Sequence, residues 1–297
     1  MGRRLPLAGL LVIAISLAWP SMAVASFPDQ PSVIRFMRID TDFELFRMRA
    51  DGTTVRRVTE NSINDSDARM SPNGSRLVFA RQPAGELDDE IYTMWSDGTH
   101  RRRLTSNDSD DQTPNWSPDG TQIVFRSDRL GFQMDLYRMN VDGSGVTRIT
   151  FTTAREWLPT WSPEGAWIAF TVDQVGADRE VALIRPNGKE FRLVTNNQGI
   201  DDLTADWAPD GSRLVIWSDA DGDFEIYTVL PTGAGRTQVT NNAARDVHAF
   251  WLPAGARIIF NRIVGEDLEI FSIRPDGTGA KRLTDNLAED YLVRNLR

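Results

Sequence analysis

The chain lacks cysteine altogether, and this absence excludes several kinds of site. It also has only two histidines, which are too few for a metal site held by several histidines. Without cysteine there is no disulfide, no thiolate metal ligand, no thiol nucleophile and no lipid-modified cysteine. A Gly-x-Ser-x-Gly nucleophile elbow is also missing. The most similar segment, Gly143-Ser144-Gly145, falls in a predicted hairpin turn. The sequence offers no common nucleophile motif, although its abundant carboxylates leave acid-base chemistry open.

Positive charge is scarce relative to negative charge. Lys and Arg number 33 against 42 Asp and Glu, which gives a net charge of −9. A negative surface repels phosphate groups, so neither nucleic-acid binding nor adhesion to an anionic membrane is expected. After the N-terminal segment no run is long and apolar enough to cross a bilayer, and we predict that the protein does not span the membrane.

The N-terminal segment predicts export. Arg3 and Arg4 precede an apolar stretch at residues 7–19, and Ala-Val-Ala follows at residues 23–25. This is the pattern of a secretory signal peptide. A membrane anchor is the alternative, but an apolar stretch of about 13 residues is shorter than the roughly 20 that a spanning helix needs. We expect residues 1–25 to be removed after Ala25, residues 26–32 to be a linker, and the protein to be periplasmic or secreted.

A repeat of about 45 residues runs through the rest of the 297-residue chain. An Asp-Gly-type turn is followed by a short basic-apolar segment that ends in threonine, and these threonines recur with regular spacing. They are Thr59, Thr105, Thr150, Thr195, Thr240 and Thr284. A second motif keeps the same period: Trp-Ser-Pro-Asp-Gly at residues 116–120, with relatives at 161–165, 207–211 and 251–255 and a weaker copy at 70–74.

Each repeat contains four short segments with the composition of β-strands, separated by turn signals. Four antiparallel strands per unit of this length are typical of a propeller blade, and helical periodicity is hard to find. The first repeat, at residues 33–60, lacks a first strand, whereas residues 289–297 match a first strand with nothing after it. The sequence therefore predicts an all-β, six-bladed propeller over residues 33–297, closed by pairing of the C-terminal strand with the N-terminal blade.

The repeat resembles a known family. Asp111-x-x-Pro114-x-Trp116-Ser-Pro-Asp-Gly120, the Asp135-Leu-Tyr-Arg-Met139 segment and Asp142-Gly143 with Ile149-Thr150 are similar to the WD40-like repeats of periplasmic TolB propellers. That repeat also occurs in propeller domains of peptidases and in some lyases. Full TolB has an additional N-terminal α/β domain that this sequence does not show. In the family the propeller contacts a peptidoglycan-associated lipoprotein, so the resemblance implies a protein or peptide partner in the cell envelope.

One acidic residue recurs just before each predicted first strand, which lines the central channel. These residues are Asp65, Asp111, Glu156, Asp202, Asp246 and Asp290. Six carboxylates converging at one mouth would suit a cation or the Lys and Arg groups of a docking peptide. The alternative is that each carboxylate caps a local turn within its blade. His248, two residues after Asp246, is a candidate member of the same mouth.

A second set of acids opens the predicted third strands, and we interpret it as blade-stabilising. Its members are Glu44, Glu90, Asp135, Glu180, Glu225 and Glu269. Alternating acids at Asp219, Asp221, Asp223 and Glu225 are similar to a calcium loop, because hard cations require several oxygen ligands; an ordinary hairpin is the alternative. Asp40, Asp42 and Glu44 form a similar group with fewer acidic residues. No other cofactor is predicted.

The recurring tryptophans Trp116, Trp161, Trp207 and Trp251 are expected to pack between blades, whereas Trp157 and Trp217 break the period and are candidates for a groove. His100 is expected to be solvated. Together these features favour a non-catalytic envelope binding module that recognises a protein, a peptide or a cell-wall ligand at one mouth of the propeller. The alternative function is a carbohydrate-active hydrolase or lyase that uses channel carboxylates.

Overall fold

The computed structural model describes residues 33–39, 43–57, 65–131, 133–173, 178–252, 254–285 and 289–293. The predicted signal peptide and linker lie outside these residues, as do Asp40 and Asp42. Within the described residues the regular structure is β throughout, in 24 strands that form six antiparallel four-stranded sheets. No helix among these residues has the length and apolar character needed to cross a bilayer.

Each sheet has the same strand order, from a first strand near the axis to a very short fourth strand at the outside. The first strands are β4 (Asp65–Met70), β8 (Asp111–Trp116), β12 (Arg155–Trp161), β16 (Asp202–Trp207), β20 (Asp246–Trp251) and β24 (Glu289–Val293). The second strands are β1 (Val33–Ile39), β5 (Arg76–Arg81), β9 (Gln122–Ser127), β13 (Ile168–Asp173), β17 (Leu214–Ser218) and β21 (Ile258–Val264).

The third and fourth strands complete the sheets. The third strands are β2 (Phe43–Arg49), β6 (Glu90–Trp95), β10 (Asp135–Asn140), β14 (Arg179–Ile184), β18 (Glu225–Val229) and β22 (Asp267–Ile273). The fourth strands are β3 (Arg56–Arg57), β7 (Arg102–Arg103), β11 (Thr147–Arg148), β15 (Arg192–Leu193), β19 (Thr237–Gln238) and β23 (Lys281–Arg282). The fourth strands are very short, because only two residues of each pair with the third strand.

The predicted six-bladed propeller requires a correction to five blades of consecutive strands. Five blades in the described chain are formed by four strands that follow one another in sequence, namely β4–β7, β8–β11, β12–β15, β16–β19 and β20–β23. The remaining sheet is not a copy of this unit, because the chain before β4 supplies only three described strands, β1 to β3. Its order is β24-β1-β2-β3, with β24 antiparallel to β1 from Arg35↔Val293 to Ile39↔Glu289.

Glycines in the outer hairpins let neighbouring sheets approach closely. Gly143 has φ +85°, and a Cβ added there would lie 2.6 Å from the carbonyl oxygen of Leu104 in the preceding sheet. Gly52 would bring a Cβ to 2.5 Å from the carbonyl oxygen of Leu283, so the composite sheet meets β20–β23 in the same way. The same contact recurs at Gly188, Gly233 and Gly277. Glycine is needed at these points because the backbone is in the left-handed region and there is no room for a side chain.

The recurring tryptophans lie in the core between sheets, which confirms their predicted role. Trp116 is 2% exposed and packs in one cluster with Val78 and Ile91 of the preceding sheet. Its indole nitrogen donates to the carbonyl oxygen of Arg69 at 3.0 Å. Large aromatic side chains that bury this much surface stabilise a contact between sheets.

Candidate functional site

The start of every first strand lies at one end of its sheet. Asp111, the first residue of β8, is opposite Ser127, the last residue of β9. The loops between second and third strands therefore lie at the same end as those between fourth and first strands. We call this end the loop face; it comprises residues 82–89, 104–110, 128–131 and 149–154 with their equivalents. The opposite end, with the Trp-Ser-Pro-Asp-Gly turns, is the turn face.

The predicted acidic ring occupies the first or second residue of the first strands, so it belongs to the strands themselves. All members whose side chains are described are fully buried: Asp111, Glu156, Asp202, Asp246 and Asp290. The side chain of Asp65 lies outside the described residues. The carboxylates thus face protein at the loop face, and whether any ligand reaches them stays a prediction.

Arginines of the same blade pair with three of these acids. Asp111 accepts two hydrogen bonds from Arg129 Nη2, at 3.0 and 2.9 Å. Arg262 binds both oxygens of Asp246 at 2.6 Å, and Arg236 Nη1 donates to Asp202 at 2.8 Å. Charge-assisted pairs of this kind offset the cost of burying a carboxylate.

An asparagine joins each of these acids to the second predicted set. Asn107 donates its backbone N–H to Glu90 Oε1 at 2.6 Å and its side-chain Nδ2 to Asp111 Oδ2 at 2.9 Å. We call this arrangement the asparagine bridge. It recurs as Glu180–Asn197–Asp202 and as Glu225–Asn242–Asp246. Because the glutamate opens a third strand and the aspartate opens the next sheet's first strand, the bridge links neighbouring blades.

Glu156 departs from this pattern. Thr152 stands where other repeats have the bridging asparagine, and the hydroxyls of Thr150 and Thr152 donate to the Glu156 carboxylate. Asp135, which pairs with Arg148 at 2.8 Å, is the nearby acid of the second set. Burial raises the pKa of Glu156 to about 7, and the negative charge of Asp135 adds to the shift. Glu156 is therefore a carboxyl that takes up a proton near neutral pH.

His248 lies in β20, in a bulge where its φ is 52°. Its ring contacts Trp217 edge-on, with centroids 5.3 Å apart, and burial lowers its pKa to about 4. The imidazole is therefore neutral at pH 7. The structure does not place it within the ion pairs of the acidic ring. His100, by contrast, is exposed and stacks on Trp95 in an outer hairpin.

The acidic hairpin brings together three of its four predicted residues. Carboxylate oxygens of Asp221, Asp223 and Glu225 lie within 4.8 Å of one another. Asp219 instead accepts from the backbone N–H of Asp201 at 2.8 Å. These oxygen donors are of the type that calcium prefers, and calcium binding here stays a prediction.

Another blade has an equivalent acidic cluster, which sequence reasoning missed, and there an arginine binds the carboxylates. Glu86, Asp88 and Glu90 come equally close, and Arg103 Nη2 lies 2.7 Å from both Glu86 and Glu90. In the Asp221 cluster the equivalent of Arg103 is the neutral Gln238, which donates to Asp221 at 2.5 Å. Burial raises the pKa of Glu225 to about 7.

A stacked pair lies at the loop face between two neighbouring blades. The Arg126 guanidinium carbon is 4.1 Å from the centroid of the Trp157 ring. Arg126 is only 4% exposed, whereas Trp157 is half-buried. Arg126 also donates to the side-chain oxygen of Gln112, whose nitrogen donates to Asp89. The broken tryptophan period points to Trp157, but no sequence signal identifies Arg126.

Three apolar side chains project from the loop face. The exposed fraction is 93% for Leu87, 71% for Phe151 and 63% for Leu130. They lie on loops of two adjacent blades and on the connection to the next, beside acids such as Asp110 and Asp128. Exposed apolar groups on neighbouring loops of one face are candidates for an interaction surface. Sequence reasoning missed them, because single apolar residues in loops do not stand out from a β-rich repeat.

The turn face carries a different feature, a pair of equivalent grooves between blades. One groove has a volume of about 500 Å³ and is lined by Pro118, Trp161, Pro163 and Pro186 among others. Its counterpart, of about 350 Å³, is lined by Pro209, Trp251 and Pro275 among others. Trp161 and Trp251 are 3% and 8% exposed, so the grooves present mainly proline and turn residues.

Sheets of this order, with the first strands innermost, define a β-propeller. Residues 66–203 match the family model described as the TolB beta propeller domain. This matching segment, a little under half of the chain, is similar to the TolB β-propeller family. A stretch of 61 residues is 34% identical to a protein TolB homolog of Chlorobium luteolum. That stretch is 20% of this chain and only 14% of the homolog's length.

Solved structures share the fold. A putative TolB from Agrobacterium tumefaciens has a TM-score of 0.72 at 16% identity, over 89% of this chain and 94% of that one. TolB from Acinetobacter baumannii has a TM-score of 0.75 at 16% identity, over 87% of this chain and 65% of that one. An oligogalacturonate lyase from Vibrio parahaemolyticus has a TM-score of 0.62 at 14% identity, over 85% of this chain and 75% of that one. Because the chain spans less than two thirds of the second TolB, and identities are low, these likenesses establish fold alone.

Proposed function

We propose that this protein is an exported, non-catalytic binding module of the bacterial cell envelope, and that its loop face docks a protein or peptide partner. The observation that carries the proposal is the set of exposed apolar side chains Leu87, Leu130 and Phe151 on neighbouring loops of that face. Apolar anchors with a polar surround are the usual anatomy of a protein interface. Export to the periplasm or the medium belongs to the proposal and rests on the N-terminal sequence.

The acidic ring is not the first contact surface for the partner in this proposal. Its described carboxylates are buried and bonded within the protein, so a partner would meet the loop tips and the half-buried acids Asp110 and Asp128 first. The partner's contact surface should therefore combine apolar groups with Lys or Arg. A peptidoglycan-associated lipoprotein is the first candidate, because the TolB family resemblance implies that partner.

We do not propose the alternative of a carbohydrate-active enzyme. Such an enzyme needs two carboxylates that reach the substrate, one as acid and one as base or nucleophile. The described ring carboxylates have no exposed surface, and Asp111, Asp202 and Asp246 are held by arginines. Substrate access would require these ion pairs to break.

Site-specific photo-crosslinking in intact cells tests the proposal. A photoreactive phenylalanine analogue is introduced singly at Leu87, Leu130 or Phe151, and at Trp95 as a control that is 47% exposed in an outer hairpin. We expect the three loop-face positions to give the same adduct, identified by mass spectrometry, and Trp95 to give none. The same adduct from Trp95, or no adduct from any loop-face position, would contradict the proposal.

A further inference from the structure

Three arginines of neighbouring strands form one row across the composite sheet of β24 with β1 to β3. Arg47 of β2 lies opposite Arg35 of β1 on one side and opposite Arg56 of β3 on the other. Residues opposite each other on antiparallel strands share a face of the sheet, with Cβ atoms about 5 Å apart. Arg49, two residues after Arg47, lies on the same face. We call these four residues the arginine row.

The described side chains of the arginine row are accessible and have no acidic partner. Arg47, Arg49 and Arg56 are all exposed. None of the three makes an ion pair or a side-chain hydrogen bond with the part of the chain that the structure describes. Asp51, in the hairpin between β2 and β3, accepts from Thr53 instead, and those bonds lower its pKa, with a smaller contribution from the charge of Arg49. The three guanidinium groups are therefore available to an anion from solution.

The equivalent rows of the other five sheets differ in charge. Each has an aliphatic residue on the second strand and no cation opposite another cation. The rows, from second to fourth strand, are Val78-Thr93-Arg102, Val124-Arg138-Thr147, Ala169-Leu183-Arg192, Val215-Thr228-Thr237 and Ile259-Ser272-Lys281. Like charges directly opposite each other destabilise a sheet. The fold therefore does not require the arginine row, and a ligand of opposite charge would offset its repulsion.

An extended chain with several carboxylates fits the shape of the row. Neighbouring strands lie about 4.8 Å apart, so a row across three strands is about 10 Å long. A guanidinium binds a carboxylate with two parallel hydrogen bonds, so one carboxylate engages only part of the row, whereas several along one extended peptide can engage all of it. A flat anionic membrane would instead bring its phosphates against the exposed acids Asp97 and Asp276 of neighbouring hairpins, which repel them.

We propose that the arginine row binds an extended acidic segment of a protein partner through arginine–carboxylate pairs. This site goes beyond the proposed function in both place and chemistry. Strand β2 begins at the loop face, and Arg47 and Arg49 are among its last three residues, so the row lies toward the turn face. The loop face selects apolar and basic groups, whereas the arginine row selects carboxylates.

Calorimetry at low salt with two capped peptides, acetyl-hexaglutamyl-amide and acetyl-hexaglutaminyl-amide, provides the test. We expect the glutamate peptide to bind the parent at least about tenfold more tightly than the glutamine peptide. Arg47→Thr/Arg56→Thr gives the row the residues found at Thr228 and Thr237, and it should weaken binding of the glutamate peptide at least about tenfold. Thermal unfolding checks that this double variant folds, and its Tm should not fall, because a pair of like charges has been removed.

The matched control is Arg76→Thr/Arg101→Thr, which removes the same charge from two exposed arginines outside the row. It should bind the glutamate peptide within about twofold of the parent, because exposed charges outside the site contribute little. An equal loss in both double variants would show an effect of net charge alone and would overturn the proposal.

Three further results would overturn it: no binding of the glutamate peptide to the parent, equal binding of the two peptides, or unchanged binding after Arg47→Thr/Arg56→Thr. Sedimentation with phosphatidylglycerol vesicles distinguishes a lipid ligand from a peptide. We expect the parent to stay in solution, and vesicles that bind the parent but not Arg47→Thr/Arg56→Thr would assign the row to lipid phosphate instead.

Discussion

At the scale of single residues, burial without a cationic partner gives Glu156 its unusual proton affinity. Asp111, Asp202 and Asp246 occupy equivalent positions, but each has an arginine within 3 Å. Glu156 has threonine hydroxyls instead, and burial raises its pKa to about 7. The folded state therefore prefers the protonated carboxyl, whereas the unfolded chain releases the proton near pH 4.5.

This difference predicts a pH-dependent stability. The Glu156 contribution is fully present below the unfolded pKa of about 4.5 and is lost as the pH rises through about 7, a change of about 3 kcal/mol. Glu156→Gln removes the titration, so the variant should exceed the parent in stability at pH 8 and match it near pH 4.5. Urea unfolding across this range measures the effect. The exposed Glu164→Gln is the control, and equal pH profiles for parent and Glu156→Gln would contradict the prediction.

A second residue-scale prediction concerns Gln238. Replacing it by Arg should restore the ion pair that Arg103 makes with Glu86 and Glu90, because Asp221, Asp223 and Glu225 form an equivalent cluster. We expect Gln238→Arg to raise stability by about 1 kcal/mol and to lower the pKa of Glu225. Thermal unfolding in chelator measures the gain, and Arg103→Gln should give the opposite change.

The same variant tests calcium binding at this hairpin. If calcium fills the position that Arg103 occupies in the other blade, calcium should raise the Tm of the parent and not that of Gln238→Arg. An unchanged parent Tm in calcium and in chelator would remove the calcium prediction.

At the scale of elements, a glycine in an outer hairpin and one in a loop of the loop face show why some turns tolerate substitution and others do not. Gly143 and Gly85 have nearly the same φ, +85° and +87°. An added Cβ at Gly143 would meet the Leu104 carbonyl oxygen at 2.6 Å, whereas at Gly85 it would meet nothing within 4 Å. Sequence alone does not distinguish them, because the difference lies in a neighbouring blade.

Alanine at these two positions therefore separates backbone strain from crowding. Gly85→Ala should cost about 1 kcal/mol, the usual penalty for a left-handed non-glycine residue. Gly143→Ala should cost at least about 2 kcal/mol more, because a backbone contact between blades must open. Chemical denaturation of both variants measures the difference. Similar losses would show that the Gly143 contact relaxes without cost.

The element scale also shows what the repeat could predict and what it could not. The period located the strands and both sets of acids, because each copy has the same local pattern. It did not reveal that Glu90 and Asp111 share Asn107, since the two acids belong to different blades. Thr152, which replaces the asparagine in one copy, hides the bridge from a motif search. The predicted number of six blades requires correction, because only five blades are formed by four consecutive strands, and the sheet of β24 with β1 to β3 combines segments from opposite ends of the described chain.

At the scale of the whole molecule, net charge should govern how fast a partner arrives. The chain carries −9 overall, and the loop face adds half-buried acids to its apolar tips. A basic partner should therefore associate more slowly as salt screens the attraction, whereas dissociation from the apolar anchors should change little. Surface plasmon resonance between roughly 50 and 500 mM NaCl, a range over which the Debye length shortens severalfold, would measure both rates for the partner found by cross-linking. An association rate that does not depend on salt would contradict this expectation.

The asparagine bridge also bears on how the protein ages. The side-chain Nδ2 of Asn107 donates to both Glu90 and Asp111, and that of Asn242 donates to both Glu225 and Asp246. Asparagine is among the residues that heat damages most readily, through hydrolysis of that amide to a carboxylate. At an exposed surface position the change adds one solvated negative charge and has little effect on stability. At the bridge it would place a third carboxylate beside two buried ones, so a slow chemical reaction at a single amide would loosen the junction between neighbouring blades.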